Sequence, residues 1–104
     1  MDKYEIYVTD NAHKDLKGIR DYISFSLLEP NISKNIMSEI DKTILSLEIM
    51  PNRFEKVKNK YFSNRSVRKC FSNNYIILYS VNENKKTVTI IRVLYGKSNW
   101  VKLI

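Results

Sequence analysis

A single cysteine, Cys70, has no partner for an internal disulfide, and the one histidine, His13, lies far from it at the start of a predicted helix. The two scarcities together argue against a Cys–His nucleophile, so Cys70 reads as a packed strand residue of a protein kept in a reducing compartment. No apolar run approaches the roughly 18 residues of a membrane span, and the opening MDKYEIYVTD lacks the basic-then-apolar layout of a secretion signal. A soluble cytoplasmic protein with no membrane partner is expected. Internal repeats, low-complexity tracts and linkers are also missing, and 104 residues with 43% apolar content suffice for one domain and one core. Acid is short in only half of the chain. Residues 1–52 carry six Lys and Arg against nine Asp and Glu, whereas residues 53–104 carry twelve against two, which gives nets of −3 and +10 within the overall +7. Solubility alone needs no such segregation; a surface that meets phosphates or a strongly acidic protein does.

What is present falls into a regular order. Lys3 to Val8 alternates Tyr4, Ile6 and Val8 with Glu5 and Tyr7, the period of a strand with one buried face. Thr9 or Asp10 can cap a helix over Asn11 to Leu28, whose Ala12, Leu16, Ile19, Ile23 and Leu27 line one side, with Tyr22 flanking them. Gly18 sits in the middle of that helix at a cost of about 1 kcal/mol relative to alanine. Pro30 and Asn31 break the pattern and restart it. Ile32, Ile36, Ile40, Ile44 and Leu47, with Met37 beside them, form the stripe of a second helix that runs to about Met50, and Pro51 ends it. The spacing therefore predicts an antiparallel helical hairpin.

Asn52 to Asn64 has no clean period; it carries Arg53, Lys56, Lys58 and Lys60, with Phe54, Val57, Tyr61 and Phe62 to tack it down. Three strands follow: Ser66 to Phe71, a turn at Asn73 and Asn74, Tyr75 to Val81, a turn over Asn82 to Lys86, and Thr87 to Tyr95. Asparagine tolerates the positive φ of tight turns, and β-branched and aromatic residues fill both long strands. The expected fold is α+β, with an N-terminal strand, a helical hairpin and a three-stranded antiparallel meander that together make one four-stranded sheet. In the central strand Tyr75, Ile77, Tyr79 and Val81 point one way and Ile76 and Leu78 the other. With the first set under the helices, Ile76 and Leu78 are expected on the open face as an apolar patch among Arg and Lys, suited to a protein partner.

The ordered set of Ala12, Asp15-Leu16 and Tyr22-Ile23, then Leu47 and Pro51, then Arg68, Tyr75 and Tyr79, then Arg92-Val93-Leu94-Tyr95-Gly96-Lys97 leading to Trp100, resembles the RelE/ParE superfamily of bacterial type II toxin–antitoxin toxins. The likeness runs over almost the whole chain. It implies a small cytoplasmic toxin held by an acidic, DNA-binding antitoxin that wraps around it, which assigns Ile76 and Leu78 to antitoxin binding. No cofactor and no metal are implied. Two targets are implied: RelE-like members cleave mRNA on the ribosome, and ParE-like members poison DNA gyrase. A catalytically inert homologue that binds only antitoxin and operator DNA is a third possibility.

For metal-free cleavage a base, cations on the phosphorane and an acid are required. The resemblance offers Arg68, Lys69, Arg65, Lys97 and Tyr95 as catalytic, with Lys58, Lys60 and Arg92 as RNA-binding. Lys69 resembles a catalytic lysine of the family and can act as a base once neighbouring cations depress its pKa. The departures are specific. Ile76 stands where RelE-like members place an arginine after the first tyrosine of the central strand, Ser98 replaces a second arginine, and Tyr95 stands where histidine is frequent. Arg68 carries most of the expected activity; its structural alternative is a bond to Glu55 or to a backbone carbonyl, and Arg92 equally fits a role as a brace of the sheet. Ribosome-dependent cleavage is the first expectation, and gyrase inhibition the second.

Overall fold

A computed structural model describes residues 2–26, 30–58 and 66–97. Its elements follow the expected order: strand β1 (Glu5–Val8), helices α1 (Asp10–Ser26) and α2 (Pro30–Ser46), a short 3-10 turn at Pro51–Arg53, then strands β2 (Arg68–Ser72), β3 (Tyr75–Asn82) and β4 (Thr87–Tyr95). The sheet order is β1-β4-β3-β2. The meander pairs antiparallel, and β1 joins parallel to β4 with Glu5 opposite Thr87 and Val8 opposite Ile90.

Thr9 turns the chain from β1 into α1. Its Oγ1 accepts the Ala12 amide at 3.1 Å, which caps the helix, and donates to the Ile91 carbonyl at 2.9 Å. The helix thus starts where β1 leaves β4. At its other end α2 stops at Ser46, earlier than the apolar stripe suggests: the amides of Leu47, Glu48 and Ile49 turn back to carbonyls only three residues behind, and Arg53 supplies the cation that the last turn lacks. The guanidinium donates to the carbonyls of Ser46, Ile49 and Met50 at 3.2, 2.6 and 3.1 Å, so the carbonyls at the end of the hairpin are met from three to seven residues downstream. Leu47 stays fully buried in the turn beyond.

The helices cover one face of the sheet. Ala12, Ile40, Ile44 and Leu47 pack there on Cys70, Ile77, Tyr79, Val88, Ile90 and Val93, with Leu16, Ile19, Ile36, Met37, Tyr75 and Val81 at the margin. Leu27 and the side chain of Ile32 lie outside the described residues. Burial pushes the Cys70 thiol up to about 11, far from a reactive thiolate. It also pushes the Tyr79 phenol to about 12, while its hydroxyl donates to the Pro51 carbonyl at 2.6 Å and ties the sheet to the end of the hairpin.

The opposite face corrects the sequence reading. Ile76 and Leu78 are not exposed; they are 1% and 0% accessible and form a second core with Val57, Val67 and Leu94. The segment after the 3-10 turn closes over that face: the Val57 amide donates to the Val67 carbonyl at 2.7 Å and the Lys69 amide to the Glu55 carbonyl at 3.2 Å. A β-bulge also matters here. The register steps from Leu78–Arg92 to Tyr79–Ile90 and leaves Ile91 extra in β4. Val88 and Ile90 therefore face the helices, but beyond the bulge Val93 does, and Arg92 and Leu94 turn to the far side.

A polar latch closes the other end of the molecule. The Tyr4 hydroxyl donates to Glu83 at 2.7 Å, the Asn52 amide donates to the same carboxylate, and Lys86 reaches Asp2 at 3.2 Å and Glu83 at 3.6 Å. The Tyr4 bond first, and the Asn52 bond next, hold the Glu83 carboxyl below its ordinary 4.5. A carboxylate whose folded pKa is depressed adds stability above its ordinary value and loses it as pH falls through the folded one. Melting temperatures of wild type and Glu83→Gln are expected to converge as pH drops below 4.5. A gap that stays constant through that range would show that Glu83 does not act through its charge.

Candidate functional site

The cations of the second half divide between the two sides of the sheet. On the outer strand β2, Arg68 pairs with Tyr79 across the ladder and Lys69 with Leu78, so the two side chains leave in opposite directions. Arg68 Nη1 donates to the Phe54 carbonyl at 2.6 Å, the backbone-carbonyl alternative foreseen for it. Lys69 Nζ lies 3.5 Å from Glu55 Oε1. Lys56 and Lys58 stand exposed on the crossing segment beside them. Lys60 and Arg65, with Tyr61, Phe62, Ser98 and Trp100, lie outside the described residues.

Arg92 sits on β4, two strands from β2, about 10 Å away at ordinary strand spacing. Its Nε and Nη2 donate to Asp15 of α1 at 2.7 and 2.9 Å, and the Val93 amide donates to the same carboxylate at 3.0 Å. The pair is mostly withdrawn from water, and the bond to Asp15 raises the Arg92 pKa above its already high value. The physical cause is an unfinished edge. The β1 ladder covers β4 only from Thr87 to Ile90, so the next backbone groups need other partners, and Thr9, which caps the passing helix, and Asp15 within it provide them.

Tyr95 and Lys97 lie at the far end of β4 and make a different neighbourhood. The Tyr75 and Tyr95 rings meet edge-on with centroids 5.9 Å apart, and Gly96 donates its amide to the Asn74 carbonyl at 2.7 Å. Between this end of the sheet and α1 runs a groove of about 790 Å³, lined by Gly18, Ile19 and Tyr22 on one side and Tyr75, Val93 and Tyr95 on the other. Burial and the neighbouring phenols of Tyr22 and Tyr95 raise the Tyr75 pKa. The sequence marks Tyr22 only as a flank of the α1 stripe. Its exposure of 62% and its place across from Tyr95 follow from how the helix crosses the sheet.

The sites read from sequence thus form two separate groups, Arg68 and Lys69 with Lys56 and Lys58 at the β2 edge, and Tyr95 with Lys97 beyond β4. Arg92 is engaged elsewhere, and Ile76 and Leu78 are interior. Among the described residues no three His, Cys, Asp or Glu side chains gather as a metal site, and no helix is long and apolar enough to cross a membrane.

A comparison with curated protein sequences found no significant match. Solved structures are similar in fold. The chromosomal ParDE system of P. aeruginosa superposes with a TM-score of 0.73 at 18% identity, covering 91% of this chain and 98% of that one. The RelBE2 toxin–antitoxin complex of Mycobacterium tuberculosis gives 0.66 at 19%, with 89% and 98% covered. The archaeal RelE–RelB complex of Pyrococcus horikoshii gives 0.64 at 17%, with 91% and 97% covered. The model of the ParE toxin of the type II toxin–antitoxin system parDE matches residues 6–100, and the chain belongs to that family, within the RelE/ParE superfamily of toxins.

Proposed function

We propose that this toxin stops growth by binding a protein target, DNA gyrase, the target implied by the ParE resemblance, and not by cutting RNA. The observation that carries this reading is the scatter of its strand cations. Cleavage needs a base, an acid and cations within about 3 Å of one phosphate. Here Arg92 is bonded to Asp15 at the open edge of β4, while two strands away Arg68 and Lys69 leave β2 in opposite directions and end on Phe54 and Glu55. The buried Ile76, where a RelE-like arginine would stand, is consistent with the same reading. Binding needs a surface and no convergent set, so none of these placements opposes it. The antitoxin partner is supported by the similar structures from Mycobacterium tuberculosis and Pyrococcus horikoshii, which are toxin–antitoxin complexes.

Cleavage keeps one observation in its favour: Lys56 and Lys58 are exposed and form no ion pair among the described residues, beside Lys69. On that second reading Arg68, Lys69, Arg65, Lys97 and Tyr95 act on the phosphate, Lys58 and Lys60 hold RNA, and Arg68→Ala abolishes cutting. Expression in a bacterium separates the two. The expected result is altered plasmid supercoiling with DNA breaks and no new mRNA ends. Codon-phased mRNA cuts with unchanged plasmid topology would overturn the gyrase reading.

A further inference from the structure

Phe71 is an exposed ring on an otherwise filled face. It stands opposite Ile76 in the ladder, on the side of the sheet that Val57, Val67 and Leu94 close, yet it is 59% exposed where Ile76 is 1% and Leu94 is 8%. The ring reaches across the end of the sheet. A Cβ at Gly96 would stand 3.6 Å from its Cε1 and 3.1 Å from the Asn74 carbonyl oxygen, so the bare Cα there keeps a side chain off it. Phe71 thus lies between the two groups of cations, two residues beyond Lys69 on one side and beside the Gly96–Lys97 step on the other. The outer edge of β2 belongs to the same surface. The Lys69 amide points off that edge to the Glu55 carbonyl, as the Val67 carbonyl does to the Val57 amide, and strand alternation sends the amide and carbonyl of Phe71 the same way. Among the described residues the backbone bonds of the crossing segment to β2 end at Lys69, so the edge is open at Phe71.

The charge around the ring is positive. Arg53 to Lys69 hold seven Lys and Arg against one acid, Glu55, which Lys69 already meets at 3.5 Å. Lys56 and Lys58 are exposed on either side of buried Val57, and Lys97 is exposed after Gly96; none of the three is ion-paired among the described residues. A flat ring among uncancelled cations, beside an open backbone donor and acceptor, matches the parts of a nucleotide: a base with two π-faces, polar base edges and a phosphate. We propose that this surface holds single-stranded DNA, with one base stacked on Phe71 and the flanking phosphates on Lys56, Lys58 and Lys97. Stacking needs an unpaired base, which a duplex does not offer, and it tolerates any sequence. The lysines follow the backbone as point charges. A protein partner would need apolar area around the ring, but the rim here is Lys69, Asn73 and Asn74. The strand is held and not cut. The site is additional to the protein target proposed above, and only the choice of DNA over RNA rests on the gyrase reading.

The test measures, by fluorescence anisotropy, binding of the purified full chain to a labelled thymidine oligonucleotide of about twelve nucleotides, in about 50 mM salt and above. Wild type is expected to bind it, and to bind a duplex of the same length more weakly and without using Phe71. Phe71→Ala removes only an exposed ring, so it should melt like wild type and bind the single strand about tenfold more weakly. Phe71→Trp should restore the affinity. Lys56→Gln should lower the slope of log affinity against log salt by about 0.7, the loss of one phosphate contact. Equal binding by wild type and Phe71→Ala overturns the proposal, and so does a wild type that leaves the single strand unbound. A uridine oligonucleotide held more than about tenfold tighter than the thymidine one overturns the assignment to DNA. Codon-phased mRNA cuts by wild type in cells fail the gyrase reading, whereas loss of the Phe71 dependence with the purified chain fails this inference alone.

Discussion

Ile76→Arg is expected to unfold the protein or leave it barely folded. The side chain lies between Phe71 and Leu94 in the ladder, 1% exposed, under Val57 and Val67. A guanidinium placed there loses its water, and the acid on that side, Glu55, is already bonded to Lys69. An unpaired charge in such a site costs about 4 kcal/mol or more, against a total stability of roughly 5–15 kcal/mol for a domain of this kind. The control is one strand over. Phe71→Arg sits on the same face but at 59% exposure, and should change stability by no more than about 0.5 kcal/mol. Urea denaturation of both variants decides the matter. If Ile76→Arg unfolds at the wild-type midpoint, the second core is not there and the face is open.

Asp15→Ala is expected to cost about 3 kcal/mol, toward the lower end for breaking a buried ion pair, because Asp15 and Arg92 keep 12% and 19% of their side-chain surface exposed. The loss has two parts. Arg92 is left withdrawn from water without its carboxylate, and the Val93 amide loses its acceptor on an edge that no strand covers. Arg92→Met alone should cost less, since Asp15 keeps the Val93 bond. The double variant should recover about 1–2 kcal/mol relative to Asp15→Ala, because the stranded charge is gone. A cost under about 1 kcal/mol for Asp15→Ala would reduce the pair to an ordinary surface ion pair.

Where the sequence was informative, short-range physics was in control. The span of β4 and the turn at Asn73, whose φ is 54°, follow from β-branched alternation and from a residue that tolerates positive φ. The α1 cap at Thr9 is equally local. The end of α2 was less legible because Leu47 extends the apolar period past Ser46, while the residue that bonds the Ser46 carbonyl, Arg53, is seven positions away. The face of Arg92 was not legible at all. Counting by twos places it beside Ile90 under the helices, but the bulge at Ile91 turns it to the far side, and it meets Asp15 at the edge of β4 that β1 leaves uncovered. Ile76 and Leu78 were misplaced for a related reason: Val57 and Val67 come from aperiodic stretches, and their docking is a tertiary event that no local pattern announces.

The parallel pairing of β1 with β4 has a consequence in time. The partners stand 82 residues apart, as Thr9 and Ile91 do, so the N-terminal strand waits for the last strand of the sheet to be synthesised. At about 5–20 residues per second that wait is on the order of ten seconds. During it there is no Arg92 for Asp15, no Val93 or Tyr95 for the groove, and no closed sheet. The chain thus gains its Asp15–Arg92 bond, its groove and its closed sheet together, and only once it has been made through β4.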